Sequence, residues 1–170
     1  MKKIILLLAI LFTFSSANAS HLLGGEITWQ CLKSGPNQGE YIFTMKLYRD
    51  CDGTTLSMLS ENIEVWENGV NIQNINCGFV SNTDISPLCD VVNSGNLQLD
   101  CYGATPAGAV EEYLYQSLPV SLVGIPPATG WHFTWNSCFR NGAITNLLLS
   151  STTNPSEGFT LRATMYPYTD

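Results

Sequence analysis

A chain of 170 residues, 45% apolar and only 12% charged, is sized for one domain with a sizeable core. Its 18 aromatic residues exclude intrinsic disorder. Seven basic residues scattered along a chain of net charge −7 form no patch able to displace counterions from phosphates, which excludes nucleic acid as a partner.

Taken from its start, the chain opens on the three parts of a secretory signal peptide. Lys2 and Lys3 form a basic start, Ile4 to Phe14 is an almost unbroken apolar run, and Ala17-Asn18-Ala19 supplies the small residues of a cleavage site. That run covers about 16 Å of helix against a hydrocarbon core of about 30 Å, too short for a membrane anchor. Ser20 stands where a lipoprotein would need cysteine, and no later segment is long and apolar enough to span a bilayer. Residues 1–19 are therefore expected to be removed, leaving residues 20–170 as an exported single domain of net charge −9 once Lys2 and Lys3 are lost.

Six cysteines remain: Cys31, Cys51, Cys77, Cys89, Cys101 and Cys138. An even number in an exported chain of this size predicts disulfides, although six cysteines allow fifteen pairings and spacing does not choose among them. Zinc needs paired ligands at short spacing, whereas the closest cysteines are twelve residues apart and only His21 and His132 could join them.

The elements read as strands throughout. Gly25 to Leu32 alternates, with Ile27, Trp29 and Cys31 on one face and Thr28 and Gln30 on the other. From Tyr41 onward, Tyr41, Phe43, Met45 and Leu47 oppose Thr44 and Lys46, and the turn formers from Ser34 to Gly39 predict a hairpin between the two runs. A second hairpin joins Asn62 to Glu67 with Val70 to Ile75 through Asn68-Gly69, the pair that supplies both positive φ angles of a type I′ turn. The polar stretch from Ser81 to Pro106 predicts a long, disulfide-fastened crossing, with a short edge strand over Asn96 to Cys101 as an alternative. Further strands are expected over Val110 to Gln116, Val120 to Val123, Trp131 to Trp135, Ala143 to Leu149 and Phe159 to Tyr166. No mature segment of ten residues or more carries helical apolar spacing. Eight or so short strands with one apolar face predict an all-β, two-sheet sandwich rather than a barrel.

Few residues suggest chemistry. Asp50-Cys51-Asp52-Gly53-Thr54 fits the Asp-x-Asp-Gly-Thr signature of haloacid-dehalogenase-type phosphatases, but that mechanism needs a downstream lysine and a parallel α/β sheet. After Thr54 the chain has no lysine. Asp50 and Asp52 are weak calcium candidates, too few ligands to define a site, and no metal or other cofactor is expected. His132 lies between Trp131 and Phe133 without a Gly-x-Ser-x-Gly motif, so a local hydrogen bond explains it better than a hydrolase base. Glu111 and Glu112 are adjacent and so point to opposite faces of a strand, a poor start for a glycosidase pair. Arg49 and Arg140, each near a cysteine, are expected to be structural charges, with Glu26, Asp50, Glu111 and Glu112 as possible partners. Trp66 falls on the face opposite Ile63 and Val65 beside a hairpin tip, which makes it a candidate contact residue.

The segment Ser20-His21-Leu22-Leu23-Gly24-Gly25-Glu26-Ile27-Thr28-Trp29 resembles the start of a group of exported Bacteroidetes cell-surface proteins, associated with gliding motility or with a C-terminal sorting domain for type IX secretion. The resemblance continues in order through Leu47-Tyr48-Arg49-Asp50-Cys51, Val110-Glu111-Glu112-Tyr113, Gly130-Trp131-His132 and Cys138 to Asn146, and so spans most of the mature chain. Two positions depart from the pattern. Phe139 stands where the family has the second of two adjacent cysteines, and Ala109 where a cysteine commonly precedes the Val-Glu-Glu element. Loss of a mutual pair there would leave the remaining six cysteines to form three bridges. The resemblance implies an immunoglobulin-like or related β-sandwich, the N-terminal module of a longer surface protein, structural or adhesive, carrying no catalytic residues and making protein or glycan contacts. A secreted hydrolase acting on glycans or phosphate esters is the alternative.

Overall fold

The computed structural model describes residues 22–53, 55–87, 98–103, 106, 108–137 and 158–168. Among these residues there are seven strands: β1 (Leu22–Cys31), β2 (Tyr41–Asp50), β3 (Ser60–Glu67), β4 (Val70–Asp84), β5 (Val110–Ser117), β6 (Trp131–Ser137) and β7 (Phe159–Met165). All pair antiparallel, in the order β1-β2-β5-β4-β3-β6-β7.

Alternation decides which side of each strand is buried. On β2, Phe43, Met45 and Leu47 are wholly buried, as are Ile63 and Val65 on β3, Tyr113 and Tyr115 on β5 and Phe133 on β6. The β3–β4 turn has φ of 47° at Asn68 and 83° at Gly69, the left-handed pair expected of Asn-Gly.

The expected sandwich is met in its coarser part, an all-β antiparallel fold, but the strands hydrogen-bond as one continuous sheet. That sheet curls until it nearly closes. Phe43 on β2 and Phe133 on β6, with three strands between them in the sheet order, meet with ring centroids 4.8 Å apart. Trp29 on β1 packs on the same Phe133 at 5.1 Å. The edges approach at Gly25, where a Cβ would come within 2.5 Å of the Lys46 carbonyl oxygen and 2.7 Å of Leu161 Cδ1 on β7. Only glycine fits that crossing. At either end of β3 a glutamate caps the core, Glu67 accepting from Trp131 Nε1 at 3.3 Å and Glu61 from Trp135 Nε1 at 3.0 Å.

Strand β4 departs most from expectation. The sequence pattern ends its strand at Ile75 and begins a crossing at Ser81, yet β4 runs to Asp84. A bulge between Phe79 and Ser81 bends it, after which Ser81 to Asp84 pair with β5. Those residues are held by polar contacts that an apolar alternation cannot reveal. Val120 to Val123 is not a strand: Val120 makes a single bridge to Tyr41. Residues 98–101 form a loop and turn rather than an edge strand, and Ala143 to Leu149 lie outside the described residues.

Three disulfides were expected; among the described residues one is present, Cys51–Cys101. It closes a 50-residue separation, worth about 4 kcal/mol of chain entropy. Cys31 and Cys77 are free thiols, the first exposed and the second buried. In the strand register Cys31 faces Tyr41 and Cys77 faces Glu61 and Ser117, so no cysteine stands directly opposite either. Cys89 and Cys138 lie outside the described residues. Among those residues no helix is long and apolar enough to cross a membrane.

Candidate functional site

Two polar constellations stand out, one sealed and one open. The sealed one joins two of the elements singled out in the sequence. Register places Arg49 of β2 opposite Glu111 of β5. The Glu111 side chain is 1% exposed; its Oε2 accepts from Arg49 Nη2 at 2.8 Å and Nε at 2.9 Å. Its Oε1 accepts from Tyr102 Oη at 2.6 Å and Asn82 Nδ2 at 2.7 Å. Arg49 Nη1 also donates to the carbonyl oxygens of Asp50 at 3.0 Å and Gly53 at 2.8 Å, and the guanidinium lies 5.8 Å from the Tyr113 ring centroid. Burial pushes the Glu111 carboxyl upward, but hydrogen bonds from Tyr102, Asn82 and Arg49 outweigh it and hold the group below the usual carboxylate range. The same Glu111 contact, first, and burial, second, push the Tyr102 hydroxyl up to about 12. Asp84 is held low chiefly by the Cys101 backbone N–H and then by Ser86. All four of these contacts to Glu111 come from within the fold, so this cluster ties the disulfide loop to the sheet, with Glu111 sealed beneath a Tyr102 ring that is itself exposed.

Asp50 belongs to the same corner. Its Oδ1 accepts from the backbone N–H of Asp52 at 3.0 Å and of Gly108 at 3.3 Å, so it shapes the turn. Among the described residues no group of three or more His, Cys, Asp or Glu is placed to hold a metal ion. Glu112 points outward, as adjacency to Glu111 requires, and pairs with Lys46 at 3.3 Å. Ala109, buried beside this corner, takes the Cys51 N–H on its carbonyl at 3.0 Å. Arg140 and Phe139 lie outside the described residues.

The open constellation is a groove of about 490 Å³ on the outer face of β3, β6 and β7. Trp66, His132, Thr134, Asn136, Thr160 and Arg162 line it. Pairing aligns these side chains in rows: Trp66 opposite His132 opposite Thr164, Glu64 opposite Thr134 opposite Arg162, and Asn136 opposite Thr160. Trp66 is half-buried rather than exposed, because its Nε1 donates to Thr134 Oγ1 at 2.9 Å and Glu64 Oε2 at 3.1 Å. Glu64 Oε2 also takes the Thr134 hydroxyl and the Asn136 amide, each at 3.4 Å. His132 Nδ1 sits 3.1 Å from Thr164 Oγ1, the local hydrogen bond expected of it. Thr160 Oγ1 donates to Asn136 Oδ1 at 2.8 Å.

Arg162 is the exception in this face. It is exposed and makes no hydrogen bond or ion pair among the described residues. The sequence marks Trp66 and His132 individually, but not Arg162, Thr134, Asn136 or Thr160. Alternation does show these as outward positions of their strands; only the strand order makes them neighbours.

Comparison with protein-family models, with curated proteins and with solved structures finds no match to this chain.

Proposed function

We propose that this chain is a non-catalytic, exported β-module that works by surface contact, a structural or adhesive part of a larger cell-surface protein of the Bacteroidetes type IX secretion kind. The observation that carries the contact reading is the open groove on β3, β6 and β7, where an anchored indole, unsatisfied cation and hydroxyl and amide groups share one exposed sheet face. The signal-peptide pattern and the ordered resemblance support export and the larger assembly. Two of the resembling elements, Tyr48-Arg49-Asp50-Cys51 and Val110-Glu111-Glu112-Tyr113, meet as the buried ion pair beside the disulfide, which gives both a folding role. The immunoglobulin-like description belongs to the same proposal, supported by antiparallel strands that wrap one apolar core.

A hydrolase would need a base oriented toward a substrate. In the groove His132 meets the Thr164 hydroxyl, and among the described residues no carboxylate is hydrogen-bonded to it. The test is retention of the purified chain on arrays of immobilised glycans and surface proteins, beside turnover of aryl glycosides and aryl phosphates. Retention that falls on Trp66→Ala, without turnover, is expected; turnover abolished by His132→Ala would overturn the proposal.

A further inference from the structure

Resting on the contact reading above, we infer that the β3–β6–β7 groove binds acidic saccharides, sugars carrying a carboxylate on the ring or a substituent. Charge supplies the first part of the argument. Among the described cations, Lys46 pairs with Glu112 at 3.3 Å and Glu26 at 3.7 Å and Arg49 pairs with Glu111 at 2.8 Å, while Lys33, in the β1–β2 loop, and Arg162 carry no ion pair, and of these two Arg162 is the one on the groove. In a chain of net charge −7, the uncompensated Arg162 lies in the wall of this groove. A guanidinium offers a planar fork of donors that matches a carboxylate in bidentate geometry. The nearest acid across the pairing, Glu64, directs Oε2 to Trp66, Thr134 and Asn136 rather than to Arg162.

The indole supplies the second part. Two hydrogen bonds fix the Trp66 ring through its N–H edge, so a ligand meets a pre-oriented aromatic surface and need not order it. Sugar rings present patches of C–H groups that stack on such a surface, flanked by hydroxyls that need partners. Thr134, Asn136 and Thr160 provide those partners on the strands between and beyond. From β3 to β7 the groove crosses two interstrand spacings, roughly 9–10 Å, room for a sugar ring on Trp66 with its carboxylate reaching Arg162.

A peptide is the less suitable occupant. β3 and β6 are paired on both sides, so no open edge at the groove centre can accept an added strand. Among the described residues Trp66 is its one large apolar side chain, and these residues offer no row of pockets for alternate side chains.

The experiment is calorimetric titration of the full chain with a short oligogalacturonate, with the same oligomer methyl-esterified at its carboxyls, and with oligoglutamate. Binding of the acid form, weakened about tenfold or more by esterification and likewise by Arg162→Ala, is expected, with partial recovery in Arg162→Lys. Trp66→Ala should weaken both saccharides. Equal binding of acid and ester, unaffected by Arg162→Ala, would overturn the acidic class while leaving the contact reading intact. Oligoglutamate binding as tightly as the saccharide would overturn the saccharide assignment. Absence of saccharide binding, with Trp66-dependent retention on a protein array, would overturn this inference alone; loss of both would overturn the contact reading too.

Discussion

Replacing Arg49 with alanine leaves the Glu111 carboxylate buried, its side chain 1% exposed, with neutral donors only. Removing one partner from a buried ion pair costs about 3–5 kcal/mol, because the other charge stays desolvated. The carbonyl oxygens of Asp50 and Gly53 lose their donor in the same step. A domain of this size shifts by roughly 2–4 °C per kcal/mol, so Arg49→Ala should melt about 6–20 °C below the parent in differential scanning calorimetry at pH 7. The pH dependence follows from the depressed Glu111 and Asp84 carboxyls. Their folded values lie below the unfolded ones, so their contribution is fully present above about pH 4.3 and lost as pH falls through the folded values. In Arg49→Ala the Glu111 group loses one source of that lowering and protonates more readily. The difference in Tm between variant and parent should therefore narrow as pH drops below about 4. A variant melting within about 2 °C of the parent at pH 7 would refute the reasoning, since a solvated charge predicts that result.

Two further outcomes test the packing. Gly25→Ala should destabilise by about 1–3 kcal/mol, because its Cβ meets the Lys46 carbonyl oxygen at 2.5 Å and Leu161 Cδ1 at 2.7 Å; urea titration reads the loss, and parent-like stability would show that β1 and β7 do not approach there. In the folded protein Cys31 should react with a thiol reagent near pH 8 while Cys77 stays protected, since burial pushes its thiol up to about 12. Peptide mapping reads the two sites, and equal labelling would contradict the buried position.

Local rules were enough for most strands. Alternation from Tyr41 to Leu47 and from Trp131 to Trp135 names the buried face, because a half-buried strand must change face at every residue. Asn68-Gly69 names its turn, because the two left-handed φ values it requires are costly for other residues. Arg49 was legible as a structural charge, and Glu111 as one of four possible partners, but the choice between them depends on the β2–β5 register. The second half of β4 was not legible: its residues are polar, and what holds them is Asn82 on Glu111 and Asp84 on Cys101, contacts formed 29 and 17 residues away. The free state of Cys31 and Cys77 was likewise beyond reach, since cysteine number says nothing about which strands stand opposite.

The amino-acid sequence by itself determined an all-β chain, the inward face of its clearest strands and the candidacy of Trp66, because side-chain period and turn chemistry act over a few residues. Tertiary structure alone decided the order β1-β2-β5-β4-β3-β6-β7, and with it the groove. Arg162 lies 96 residues beyond Trp66 and only two strands away, a proximity set by which edges pair and how far the sheet curls. Those are properties of long-range hydrogen bonding and core shape, and no window of sequence contains them.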